Sequence, residues 1–161
     1  DNKLRPVVID FDNLDEYQGY FSVDHVYCCL GTTLKKAGDI SAFRKVDFEY
    51  VHVAAQLARA QRAGGFVWIS SVGANAKSKN YYLRVKGELE NAIMRMPQLP
   101  NAAAVRPGVL IGERANDNRP LERVGASIMQ LLKPLLVGRL KKYRAVYPHQ
   151  VAREMMRYQT F

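Results

Sequence analysis

Cysteine is nearly absent. The chain has 161 residues and two cysteines, Cys28 and Cys29, side by side. That excludes a disulfide scaffold and a cysteine-built zinc site. Adjacent cysteines rarely bridge, because the ring they close is strained; on a buried strand they read as core filler. Histidine is scarce too. His25, His52 and His149 form no i, i+4 pair, so no metal site is expected. No apolar run approaches the roughly 18 residues of a membrane span. No charged-then-apolar leader opens the sequence, so a reduced, cytoplasmic setting is the expectation. Neither a Gly-x-Gly-x-x-Gly stretch nor a P-loop occurs, so these residues bring no phosphate cradle of their own.

Acids are in deficit. Fifteen Asp and Glu stand against 24 Lys and Arg, a net charge of +9. Residues 131–161 carry +6 of it, through Lys133, Arg139, Lys141, Lys142, Arg144, Arg153 and Arg157 against Glu154. Such a balance suits an anionic partner. A solvated basic face is the plainer reading, since no zinc-finger spacing or RNA-binding sheet motif accompanies it. Apolar residues make up 48% of the chain, enough for a globular core and too many for disorder.

Five short apolar runs read as buried strands: Arg5–Asp10, Val26–Leu30, Phe66–Ile69, Ala102–Val105 and Tyr143–Tyr147. Trp68 sits within the third and reads as core. Between the runs lie helical periodicities. Phe43, Val46, Tyr50, Val53, Leu57 and Ala60 make one, stopped by Gly64-Gly65. Leu83 to Met96 makes a second, ended by Pro97, and Val124 to Leu135 a third. A last helix follows Pro148. Strands alternating with helices predict a parallel sheet with crossover helices, an α/β fold.

Chemistry concentrates in Tyr82-Leu-Arg-Val-Lys86. Residues four apart share a helix face, and an ammonium beside a phenol favours the phenolate. That suits Tyr82 to acid/base work on a carbonyl or hydroxyl. The spacing alone is weak, but its setting strengthens it. The preceding strand ends in Ser70-Ser71, at the carboxyl edge where parallel sheets bind ligands.

A serine after a strand, followed by Tyr-x-x-x-Lys on the next helix, resembles the short-chain dehydrogenase/reductase superfamily. Four further segments are similar to it: Val8-Ile-Asp10-Phe11, Cys28-Cys-Leu30-Gly31-Thr32-Thr33, Val85-Lys86-Gly87-Glu88-Leu89-Glu90, and Arg106-Pro107-Gly108-Val109 to Gly112. The likeness is to the atypical branch of Tat-interacting oxidoreductase-like proteins and their bacterial relatives. It implies a doubly wound parallel sheet of the NAD(P)-binding Rossmann type, ordered 3-2-1-4-5-6. It also implies that the N-terminal Gly-rich strand–helix–strand unit is absent here, roughly 50–60 residues. Residues 1–161 would then be one incomplete domain, with 109–142 its variable substrate end.

The resemblance assigns roles. Tyr82 would donate or accept the proton, Lys86 would lower the phenol's pKa and hold the nicotinamide ribose, and Ser71, rather than Ser70, would orient the substrate oxygen. Asp10, Phe11, Leu30, Gly31, Thr32, Thr33, Ser70, Pro107, Gly108 and Val109 would line the cofactor with Tyr82 and Lys86. Asp47 falls where many members have an Asn that holds a relay water; it also reads as a helix-surface carboxylate. Arg114 and Arg119 lie in a polar loop toward the substrate end. NADP(H) is implied rather than NAD(H), with a small carbonyl or hydroxyl compound as substrate. Two other functions stay open: a dinucleotide-binding regulator acting through a protein partner, and a nucleic-acid binder using residues 131–161.

Overall fold

A computed structural model describes residues 3–108, 110 and 146–158. Its sheet has three parallel strands: β1, His25–Cys28; β2, Gly65–Ile69; and β3, Ala102–Val105, in the order β1-β2-β3. Register runs from His25↔Gly65 to Cys28↔Trp68, and from Phe66↔Ala102 to Ile69↔Val105. Parallel neighbours need crossovers, and helices supply them. Thr33 caps α1, Leu34–Ala37, by accepting from the Lys36 amide; Asp39 caps α2, Ile40–Arg44, through the Ala42 amide. A π-helical segment, Lys45–Tyr50, carries the chain from α2 into α3, Val51–Ala60. Asn80 caps α4, Tyr81–Met94, through the Leu83 amide, and α5 spans Pro148–Arg157.

Alternation along the strands sends side chains to both faces. Phe66, Trp68, Ala102 and Ala104 meet Leu14, the α3 residues Val51, Ala55 and Ala58, and the α4 residues Leu89 and Ile93. Val67, Ala103 and Val105 meet Val151 and Met155 of α5. A sheet covered on both faces is the doubly wound arrangement, and β2 and β3 are accordingly apolar throughout. Trp68 is fully buried. No helix among the described residues is long and apolar enough to cross a membrane.

Two expectations need correction. Arg5–Asp10 forms no strand among the described residues: it pairs with none of them, and Val7 and Val8 are exposed. An apolar run becomes a strand only where a neighbour satisfies its backbone. The chain turns instead into a 3-10 segment, Phe11–Phe21, capped by Asp10. The helix ends at Ala60, the last residue of its periodicity, and Arg62 follows left-handed at φ 57° before Gly64-Gly65. Cys29 is exposed rather than core, its Sγ 3.9 Å from Met155 Sδ, while Cys28 packs beside the main core. Of the expected fifth strand, Val146 forms a parallel bridge with Leu110. Residues 143–145, the helix expected over 124–135, Val109, Arg114 and Arg119 lie outside the described residues.

Candidate active site

The carboxyl ends of β2 and β3 and one stripe of α4 meet at a polar cluster. Tyr82, Lys86 and Glu90 recur at steps of four and so share one face of α4. Gly87 lets that helix come close: a Cβ there would sit 2.3 Å from the Ala76 nitrogen in the β2–α4 connection.

Lys86 is buried, 3% exposed, and its ammonium lies 2.8 Å from Asp47 Oδ1. It also donates to the Ile69 carbonyl, the last residue of β2, at 3.4 Å. Asp47 is itself 1% exposed. Its Oδ2 accepts from the Thr32 amide at 2.7 Å. The alternative reading of Asp47 as a surface carboxylate is therefore set aside. The π-helical segment delivers it inward, and extra-residue helical turns of this kind recur at functional sites. A buried ammonium is tolerable only because a carboxylate and a carbonyl share its charge.

Tyr82 is half-buried, its ring 5.9 Å from that of Phe43. Its hydroxyl has no hydrogen-bond partner among the described residues, which leaves it available to a ligand. Ser71 is half-buried, and among the described residues its Oγ donates only to the Val72 carbonyl, at 3.3 Å. Ser70 is buried and donates to Glu90. Glu90 in turn is gripped by Arg106. Sequence reading missed Glu90; the signal was its place four residues beyond Lys86 on the Tyr82 stripe.

The expected cofactor-lining residues divide into groups. Gly31 is exposed directly above the ion pair: a Cβ there would lie 3.4 Å from Asp47 Oδ1 and 3.7 Å from Lys86 Nζ. Thr32 is tied to Asp47 and Thr33 caps α1, while Leu30 packs beside the main core. Pro107 is buried, its carbonyl accepting from the Val72 amide at 3.0 Å, and Gly108 is half-buried. Asp10 and Phe11 stand apart from this cluster in their contacts. Asp10 accepts from the Asp12 amide and Asn13 Nδ2, and Phe11 stacks on Tyr50 at 5.4 Å. Burial pushes both cysteine thiols up, which keeps them protonated and poorly nucleophilic. Among the described residues no three His, Cys, Asp or Glu gather as a metal would need.

The doubly wound sheet and the likenesses that follow make the chain a relative of the atypical short-chain dehydrogenase/reductases. Protein HTATIP2 of Rattus norvegicus is 41% identical over 122 residues, 75% of this chain and 49% of that protein. The protein named FMP52-1, mitochondrial, of Scheffersomyces stipitis is 35% identical over 127 residues, 79% of this chain and 53% of that one. The chain thus spans about half the length of the curated relatives it matches. An oxidoreductase structure of the short-chain dehydrogenase/reductase family, from Burkholderia thailandensis, aligns with a TM-score of 0.62. That alignment covers 96% of this chain and 65% of the other at 22% identity, and so shows a shared fold. No family model matches the chain.

Proposed function

We propose that these residues form the catalytic part of a nicotinamide-dependent oxidoreductase, moving hydride between the dinucleotide and a carbonyl or hydroxyl compound. One observation carries the reading. The Lys86–Asp47 pair is sealed beneath exposed Gly31, one helical turn from a Tyr82 hydroxyl that has no described partner. A buried ion pair is a costly thing to keep for stability alone.

The cradle fits the nicotinamide-ribose end of such a cofactor. A backbone without a side chain at Gly31 admits a ribose close to Lys86, and any side chain there would fill the approach. Lys86, held by Asp47 and the Ile69 carbonyl, would meet the ribose hydroxyls, with Thr32 and Pro107 beside them. The bound dinucleotide supplies the hydride chemistry. The chain's own residues do the rest: Ser71 donates to the substrate oxygen, and Tyr82 gives or takes the proton at that oxygen. Asp47 holds the ammonium in place. NADP(H) is proposed over NAD(H) on family likeness. A cytoplasmic setting is proposed from the scarcity of cysteine; cell fractionation decides it, since the yeast relatives carry "mitochondrial" in their names.

The test is Tyr82→Phe in the intact protein, with NADPH and 9,10-phenanthrenequinone as probe. Turnover should fall about 100-fold or more, the usual weight of a general acid, while NADPH binding is kept. Turnover unchanged by the substitution would remove Tyr82 from the chemistry and sink the reading.

A further inference from the structure

We propose that Glu90 is a positioning residue for this site. It locks the carboxyl ends of β2 and β3 together through Ser70 and Arg106, and so fixes the stance of Ser71; the proposal rests on the reading of Ser71 as the hydroxyl that orients substrate.

Glu90 is 7% exposed, yet both of its oxygens are engaged. Oε1 accepts from Ser70 Oγ and from Arg106 Nε at 2.8 Å, and Oε2 accepts from Arg106 Nη2. A two-pronged guanidinium–carboxylate contact is both strong and directional. Arg106 is half exposed, so it closes over the buried acid from the rim. The same two segments are also stitched by backbone. The Ser70 amide donates to the Val105 carbonyl at 2.7 Å, and the Val72 amide to the Pro107 carbonyl at 3.0 Å.

Ser71 lies between the two stitched residues. Its own side chain makes one long bond, 3.3 Å to the Val72 carbonyl. Its placement therefore comes from its backbone, and that backbone is bracketed by the Ser70 and Val72 contacts. Glu90 reinforces the bracket from α4, one turn beyond Lys86, which grips the Ile69 carbonyl on the other side of Ser70. A reactive hydroxyl held by such a supporting layer is set to within a fraction of an ångström.

Amide hydrogen exchange on the intact protein tests the lock, alongside NADPH turnover with 9,10-phenanthrenequinone. The variants are Glu90→Gln, Arg106→Met and Arg106→Lys; the half-exposed Arg106 tolerates replacement even where a Glu90 variant fails to fold. Glu90→Gln and Arg106→Met should speed exchange at Ser70 and Val72 roughly tenfold relative to Ala63, a buried amide bonded at the far end of α3. Arg106→Lys should recover part of the protection. Catalytic rate should fall in step with exchange, with KM for NADPH unmoved. Unchanged exchange, or exchange rising equally at Ala63, overturns the lock. Faster local exchange with unchanged kcat overturns the positioning role. If the unsubstituted protein reduces no quinone, the oxidoreductase reading falls and takes the positioning role with it, while the exchange data still judge the lock separately.

Discussion

At the scale of single residues, the site turns on one buried charge. Lys86 is 3% exposed, and the Asp47 carboxylate sits 2.8 Å from its ammonium. Removing the partner leaves an ammonium in a dry place, which typically costs about 3–5 kcal/mol. Asp47→Ala should therefore lower unfolding stability by that order in urea titration. Asp47→Asn should cost less, because its carbonyl still accepts from the Thr32 amide. If both variants unfold like the parent, the pair is not sealed as described. Asp12 offers a contrast at the surface. Lys45, 2.6 Å away, and the Tyr50 hydroxyl hold its carboxyl below the usual value of 3.8. A depressed carboxylate pKa adds stability above the unfolded value and loses it as pH falls through the folded one. The stability gap between the parent and Asp12→Asn should thus be steady above pH 3.8 and close below it. A gap that is flat to about pH 2 would mean the contact does not hold in solution.

At the scale of elements, α4 decides how tightly the site is built. Gly87 faces the β2–α4 connection so closely that a Cβ would fall 2.3 Å from the Ala76 nitrogen and the Asn75 carbonyl carbon. Helix propensity alone says Gly87→Ala should stabilise by about 1 kcal/mol. Backbone crowding says the opposite, by roughly 1–3 kcal/mol, and should win because neither neighbour is a side chain that can swing away. A raised melting temperature for Gly87→Ala would show that the helix stands further off. Much of this element pattern is legible in sequence. Ala102–Val105 is read residue for residue, and the 43–60 periodicity lies wholly within the helical run from Ile40 to Ala60. The π-helical segment is not legible, since one widened turn leaves the three-and-four spacing of Phe43, Val46 and Tyr50 intact. Nor is the Glu90 cluster, whose members are 16 and 20 residues apart and meet only once β2, β3 and α4 have packed. Val7-Val8-Ile9 misleads for the complementary reason: strand character shows in sequence, but the presence of a neighbour does not.

At the scale of the whole molecule, the net charge is unevenly spread along the sequence. The chain carries +9, and +6 of it falls in residues 131–161. The proposed cofactor cradle draws little on that excess, because Lys86 is already neutralised by Asp47 and its neighbours are hydroxyls and backbone. Long-range attraction fades as salt shortens the Debye length, to about 3 Å at 1 M, while contacts in a sealed site are screened far less. Retention of the intact protein on duplex DNA, if any, should therefore drop steeply with salt, as counterion release requires. Dinucleotide binding should decline only gently over the same range. Parallel titrations of NADPH and a short duplex, from about 0.05 to about 0.5 M salt, check this. Should both ligands leave together, the dinucleotide is held by the general basic field and the cradle at Gly31 and Lys86 is not its site. Should DNA alone persist to high salt, the basic segment is a specific nucleic-acid face, and the chain's function lies there.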